Sequence, residues 1–188
     1  MEREIERIIY HLMYFNEKDK EMNDRPYLLL EDMAIVFDIL NSDDQSIQRI
    51  DHRKANKEQW SEQFLWEMAK KNTKQFLPAK LEPVYKDFRG HTEERPVFVI
   101  TNETQRYGAG VICYENFLGD ISRKYNKSLY LLPISIHEML LLFDEGEDSA
   151  EDLLHILEKS NQQLNKEEFL SENIYYYDKY TGELIGLF

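Results

Sequence analysis

The sequence predicts an α+β fold: a mostly antiparallel sheet with one parallel crossover, packed against several amphipathic helices and ending in a C-terminal β-hairpin. Short β-branched and aromatic runs such as MAIVFDIL, VFVIT and LYLLP stand between clusters of turn formers. Longer stretches instead space their apolar residues three and four apart, the period of a helix. Between Ala109 and Pro133 the signals run strand, helix, strand, the order of a crossover unit. One folded unit, residues 1–188, is expected, and a sub-domain joint has room only in the proline-bracketed stretch 78–96.

Taken in order, Ile5, Ile8, Ile9, Leu12 and Met13 fall on one stripe and predict a first amphipathic helix ending near Asn16. EKDKEMNDRP is charged, closes on Pro26 and reads as a loop. MAIVFDIL, NSDDQS and IQRI read as strand, turn and strand. Asn56 with Gln59 has capping-box spacing, and Trp60, Phe64, Leu65, Met68 and Ala69 extend a helix to about Asn72. FRGHTEER is a polar connector. VFVIT and AGVICY predict a hairpin around the loop NETQRYG, ENFLGDISRKYN a helix, and LYLLP the next strand. Ser149 with Asp152 predicts a second capped helix, carried by Leu153, Leu154, Leu157 and Leu164, and ENIYYYDKYTGELIGLF a terminal hairpin around Tyr180-Thr181-Gly182.

Composition narrows function by exclusion. The chain carries 23 Lys+Arg against 36 Asp+Glu, a net charge of −13, and no stretch clusters the cations that phosphate binding requires. Direct nucleic-acid binding is therefore not expected; a basic protein partner and mimicry of a nucleic acid stay open. A single cysteine cannot form an internal disulfide, the first fifteen residues lack the apolar core of a signal peptide, and no apolar run reaches the ~20 residues of a membrane span. The expected setting is the cytoplasm, away from membranes, with no cofactor.

The candidate chemistry centres on Ser135-Ile136-His137-Glu138, set inside the apolar LYLLPISIHEMLLLF. A zinc-protease helix would need a second histidine at position 141, which is Leu141, so no metal site is expected. Ser135 and Glu138 have capping-box spacing, with the serine oxygen accepting from the Glu138 amide and the carboxylate reaching back to the Ser135 amide. As a catalytic set, His137 would be the general base, with Glu138 orienting it or acting as an acid. A crossover would place a ligand crevice beside the strand ends Tyr114 and Pro133, with His137 next to it. The loop Asn102, Arg106 and Tyr107 forms a second candidate patch, expected at the far end of its hairpin and apart from the first. Cys113 reads as a buried apolar residue, and Gly108-Ala109-Gly110 as turn and close-packing glycines, since they precede a strand instead of opening a helix. The acidic run DEGEDSAED lacks calcium-loop spacing and reads as a helix start; IYYYDKY places its tyrosines on alternate faces of a strand.

VFVITNETQRYGAGVICYENFLGDIS, LYLLPISIHEMLLLF and, upstream, EQWSEQFLWEMAKKNTKQFLP together resemble a bacterial family known only as a domain of unknown function, over most of the chain from about Met33. The most specific parts of the likeness are Thr101-Asn102 to Gly108-Ala109 and Leu132-Pro133 to His137-Glu138. That family's pattern has a serine where this chain has Ile134. The resemblance implies a bacterial intracellular origin and no particular activity. The expected function is a soluble binding or regulatory module for a protein or small ligand; a small hydrolase using His137 and Glu138, or an acidic nucleic-acid mimic, are the competing expectations.

Overall fold

A computed structural model describes residues 2–41, 46–84 and 96–188. Contacts along the chain group into two compact units, Met1–Pro78 and Ala79–Phe188. Part of the expected NSDDQS turn (42–45) and the connector FRGHTEER lie outside the described residues.

The first unit runs from the one-turn helix α1 (Glu2–Ile5) into strand β1 (Ile8–Tyr14), then α2 (Lys20–Asn23), β2 (Tyr27–Leu30), β3 (Met33–Leu40), β4 (Ile47–Arg49), α3 (His52–Glu58) and α4 (Glu62–Phe76). The amphipathic helix expected over Ile5 to Met13 is thus a strand. Ile8, Ile9, Tyr10, His11 and Leu12 are buried one after another, so both faces of β1 are covered. An apolar run of that kind fits a helical stripe and a doubly buried strand equally well. One edge of β1 pairs with β3 along its whole length. Its other edge is capped by α4, where Asn72 Nδ2 donates to Ile5 O and Ile8 O at 2.9 and 3.0 Å and Thr73 Oγ1 accepts from Tyr10 N at 2.9 Å. Side chains thereby occupy strand groups that would otherwise be open to another chain.

On its far side β3 pairs first with β2 and then with β4, both antiparallel. The two short strands leave a gap at Phe37. Arg25 and Ile50 fill it, Arg25 Nη2 donating to Phe37 O at 2.9 Å and to Asp38 Oδ1 at 2.8 Å, and Ile50 N donating to Phe37 O at 3.3 Å. The capping box expected at Asn56 and Gln59 does not form. Gln59 ends α3 in the left-handed conformation, φ 58°, and Ser61 instead caps α4 by accepting from Phe64 N at 3.1 Å. Serine at that position with Glu62 in the first turn suits a helix start better than a residue that must already leave the helix.

The second unit contains β5 (Ala79–Val84), β6 (Val97–Asn102), a 3-10 helix (Gly108–Cys113), α5 (Phe117–Tyr125), β7 (Leu129–Ser135), β8 (Glu138–Phe143), α6 (Ala150–Asn161), β9 (Tyr175–Tyr177) and β10 (Leu184–Gly186). Its sheet has the order β10-β9-β7-β8-β6-β5, and every strand pair among the described residues of both units is antiparallel. This overturns the parallel crossover. AGVICY is a tight 3-10 coil and not a strand, and although β6 and β7 run the same way, β8 lies between them and pairs with both. The ligand crevice expected from that crossover loses its basis. Ser149 caps α6 as its spacing predicts, accepting from Asp152 N at 3.1 Å, and Leu153 and Leu157 pack with Leu132, Leu140, Leu142 and Val97 on one face of the sheet. The C-terminal hairpin pairs Tyr175–Tyr177 with Leu184–Gly186 across a turn in which Gly182 has φ 73°. Among the described residues no helix is long and apolar enough to cross a membrane.

Candidate functional site

β6 delivers the chain into the loop at Asn102, a buried residue whose side-chain amide bonds at both ends. Its Oδ1 accepts from Thr104 N at 3.0 Å and Thr104 Oγ1 at 2.7 Å, and its Nδ2 donates to Arg106 O at 2.7 Å. An asparagine at a strand end commonly organises a turn this way. The loop is wound tightly enough to hold two non-glycine residues, Gln105 and Tyr107, at φ 56°, a conformation that costs on the order of 1 kcal/mol apiece and persists only where surroundings enforce it. Glu103, Gln105 and Arg106 are exposed at its tip.

The facing element is the hairpin of β7 and β8. Its register shifts between Leu132 and Ser135, where three steps along β7 match two along β8, so Pro133 sits in a bulge, where its missing N–H breaks no ladder bond. The turn itself is Ile136-His137, and all four of its backbone polar groups are engaged. Ile136 N donates to Glu168 O at 2.9 Å, and Ile136 O accepts from Ala109 N at 3.3 Å. His137 N donates to Ser135 Oγ at 3.0 Å, and His137 O accepts from Thr101 Oγ1 at 2.8 Å. Few turns are specified so completely, and the specification comes from segments up to 36 residues away.

His137 completes the junction. Its Nδ1 accepts from the Tyr107 backbone N–H at 3.0 Å, and the two rings stack at a tilt with centroids 5.6 Å apart. The left-handed conformation of Tyr107 is what aims that N–H at the imidazole. The Arg106 guanidinium lies 5.8 Å from the Tyr107 ring centroid. Gly108 follows, and a Cβ there would meet Thr101 Oγ1 at 2.1 Å, His137 O at 2.4 Å and Asn102 N at 2.7 Å, so only glycine lets the loop and the hairpin turn close on each other. The two candidate patches expected to lie apart are therefore one site: Asn102, Arg106 and Tyr107 come together with Ser135 and His137.

The capping box expected within the turn is replaced by simpler bonds. Ser135 Oγ accepts from His137 N instead of Glu138 N, and Ser135 pairs with Glu138 through the strand ladder. Glu138 points to the α6 side of the sheet. Burial raises its carboxyl above the ordinary range, and the charge of Glu82 raises it further. A carboxyl raised on folding contributes stability below its unfolded value that is lost as pH rises through the folded value. Glu138→Gln, which resembles the protonated form, should therefore unfold at a higher temperature than wild type near neutral pH, with the difference disappearing below about pH 4. Calorimetry at the two pH values checks this, and a neutral-pH loss of stability would contradict it.

The remaining candidates lie deeper. Tyr114 is buried, and burial, followed by the neighbouring Cys113, pushes its phenol up. Cys113 is half-buried and not the fully buried residue expected, and burial pushes its thiol up to about 12, which disfavours the thiolate. Pro133 is buried in its bulge. Neither Tyr114 nor Pro133 presents a surface to a ligand. Among the described residues no group of three or more His, Cys, Asp or Glu gathers as a metal site.

One cluster went unseen in the sequence reading. In the first unit His11 Nδ1 stands 2.8 Å from Asp38 Oδ2, and Arg25 holds the other carboxylate oxygen. All three side chains are at least 95% buried. Burial alone would raise the Asp38 carboxyl, yet His11 and Arg25 together hold it below the ordinary range. The available signal was a lone aspartate inside the apolar MAIVFDIL and a lone histidine inside IIYHLM.

The profile of a family of unknown function, DUF5688, matches residues 1–179. The chain belongs to this family. No curated protein and no solved structure matches it. Within this DUF5688 chain, the two segments that were most distinctive in sequence, Thr101–Ala109 and Leu132–Glu138, are the two that interlock around Gly108 and His137.

Proposed function

We propose that the chain is a non-catalytic binding module that presents the loop Asn102–Tyr107 to a protein or small ligand from the fixed support of the β7–β8 turn. The observation that carries this reading is the bond from Tyr107 N to His137 Nδ1. A neutral imidazole has one ring lone pair; with that pair taken at Nδ1, Nε2 must carry the proton. While that bond holds, the ring has no free lone pair to offer a substrate proton, which argues against a general base at His137. Ser135 supplies no nucleophile, because its hydroxyl is buried and bonded to the His137 backbone amide and not to the ring. What such a junction does well is hold a strained loop rigid, so that Glu103, Gln105 and Arg106 meet a partner with little ordering left to do. A bacterial cytoplasmic setting suits this reading, since a lone free thiol needs no oxidising compartment.

Histidine-selective ¹⁵N spectra test it. His137 should appear as the Nε2–H tautomer near neutral pH, and a photoreactive residue at position 105 should cross-link a partner that His137→Ala no longer captures. An Nδ1–H tautomer, together with turnover of a simple ester that His137→Gln abolishes, would replace the binding module with an enzyme.

A further inference from the structure

We propose that the second unit carries another docking surface, on the part of its sheet that α6 leaves uncovered, and that its occupant is a basic segment of a protein partner. The surface is a cross-strand row. Leu142 pairs with Tyr130, Tyr130 with Tyr176, and Tyr176 with Ile185, so these four side chains share one face. α6 covers the Leu142 end through Leu153 and Leu157, with Tyr130 at the margin. Beyond it the row opens: Tyr130 and Tyr176 are partly exposed, with ring centroids 5.1 Å apart, and Ile185 is 44% exposed.

Charge selects the occupant. Tyr176 donates its hydroxyl to Asp144 Oδ2 at 2.8 Å, fixing a carboxylate at the rim of the aromatic pair. Besides burial, Asp144, Tyr176 and Asp148 raise the Tyr130 phenol, and Asp144 and Asp178 raise that of Tyr176 against a hydrogen bond with Ser128 that lowers it, so the carboxylates at this surface are all negative neighbours. The lysines adjoining these strands are engaged elsewhere, Lys127 with Glu145 and Lys179 with the Asn126 carbonyl. Aromatic faces beside carboxylates attract lysine and arginine by cation–π and Coulomb terms at once, while Ile185 accepts an apolar neighbour. A net charge of −13 adds long-range attraction for such a partner. An acidic or neutral segment would gain only the apolar contact. This surface is independent of the Asn102–Tyr107 loop.

A short synthetic peptide of alternating lysine and leucine is the probe, titrated calorimetrically into the full chain. Binding should weaken roughly tenfold in Tyr176→Ala and in Ile185→Ser, fall as salt is added, and vanish for the glutamate–leucine counterpart. Ile185→Ser alters an exposed position, so it decides the matter even if Tyr176→Ala folds poorly. Unchanged affinity in Ile185→Ser, equal binding of a plain lysine peptide, or no binding at all would each overturn the proposal.

Discussion

Replacing Asp38 with alanine is expected to destabilise the first unit by about 3–5 kcal/mol. The readout is selective, because both tryptophans, Trp60 and Trp66, lie between Met1 and Pro78, so their fluorescence during urea unfolding follows that unit. The magnitude follows from what the substitution leaves behind. Arg25 is 3% exposed, and among the described residues its Nε has no hydrogen-bond partner and Asp38 is the only carboxylate it pairs with. Without Asp38 the guanidinium is a buried cation held by the Phe37 carbonyl and a weak contact with Met13 Sδ. Replacing the pair is a different experiment from breaking it. Asp38→Leu with Arg25→Met removes both charges, fills similar volume, and should recover much of the loss, since the Phe37 carbonyl keeps its bond from Ile50 N at 3.3 Å. A double variant no more stable than Asp38→Ala would show that the gap between β2 and β4, and not the charge, dominates.

The same group sets an acid limit. Its carboxyl is held low in the folded state, so the stability it contributes is complete above the unfolded value of about 3.9 and is lost as pH falls through the lower folded value. Tryptophan-detected stability of wild type should accordingly fall below about pH 4, and that limb should be shallower in the double variant, where Glu4, held low by Lys54, still contributes.

Where the sequence was readable, local chemistry decided the structure. Ser149 caps α6 with its own neighbours, the β7 and β8 runs are bounded by their own turn, and the leucines of α6 need only a sheet to lie against. Where it misled, a distant partner decided. β1 copies a helical stripe because both its faces happen to be covered, and α4 supplies its missing edge with Asn72 and Thr73, more than sixty positions along the chain. AGVICY has the composition of a strand, yet Gly108 must touch Thr101, Asn102 and His137 together, and the chain meets that demand by coiling. Asn102, Arg106, Tyr107, Ser135 and His137 can each be singled out from the sequence; their arrangement cannot. Nothing local indicates that Tyr107 would give its N–H to a ring thirty residues on, and without that bond the two patches look unrelated.

Gly108→Ala should be the most damaging single change in the second unit, at about 3 kcal/mol, the upper end of the usual range for overpacking. The added methyl meets three atoms, and they differ in how far they can yield. Thr101 Oγ1, at 2.1 Å, belongs to a side chain that can rotate, at the loss of its bond to His137 O. His137 O at 2.4 Å and Asn102 N at 2.7 Å are backbone and belong to the hairpin turn and the end of β6, so relieving them means moving one against the other. That movement would pull Tyr107 N from His137 Nδ1 and release the strained loop, so the exchange protection of the Tyr107 amide should fall further than that of the β7–β8 ladder. Thr101→Ala added to Gly108→Ala distinguishes the sources of strain. It clears only the side-chain clash and should restore little stability, whereas full recovery would mean that the backbone of this junction is softer than its bonding pattern indicates.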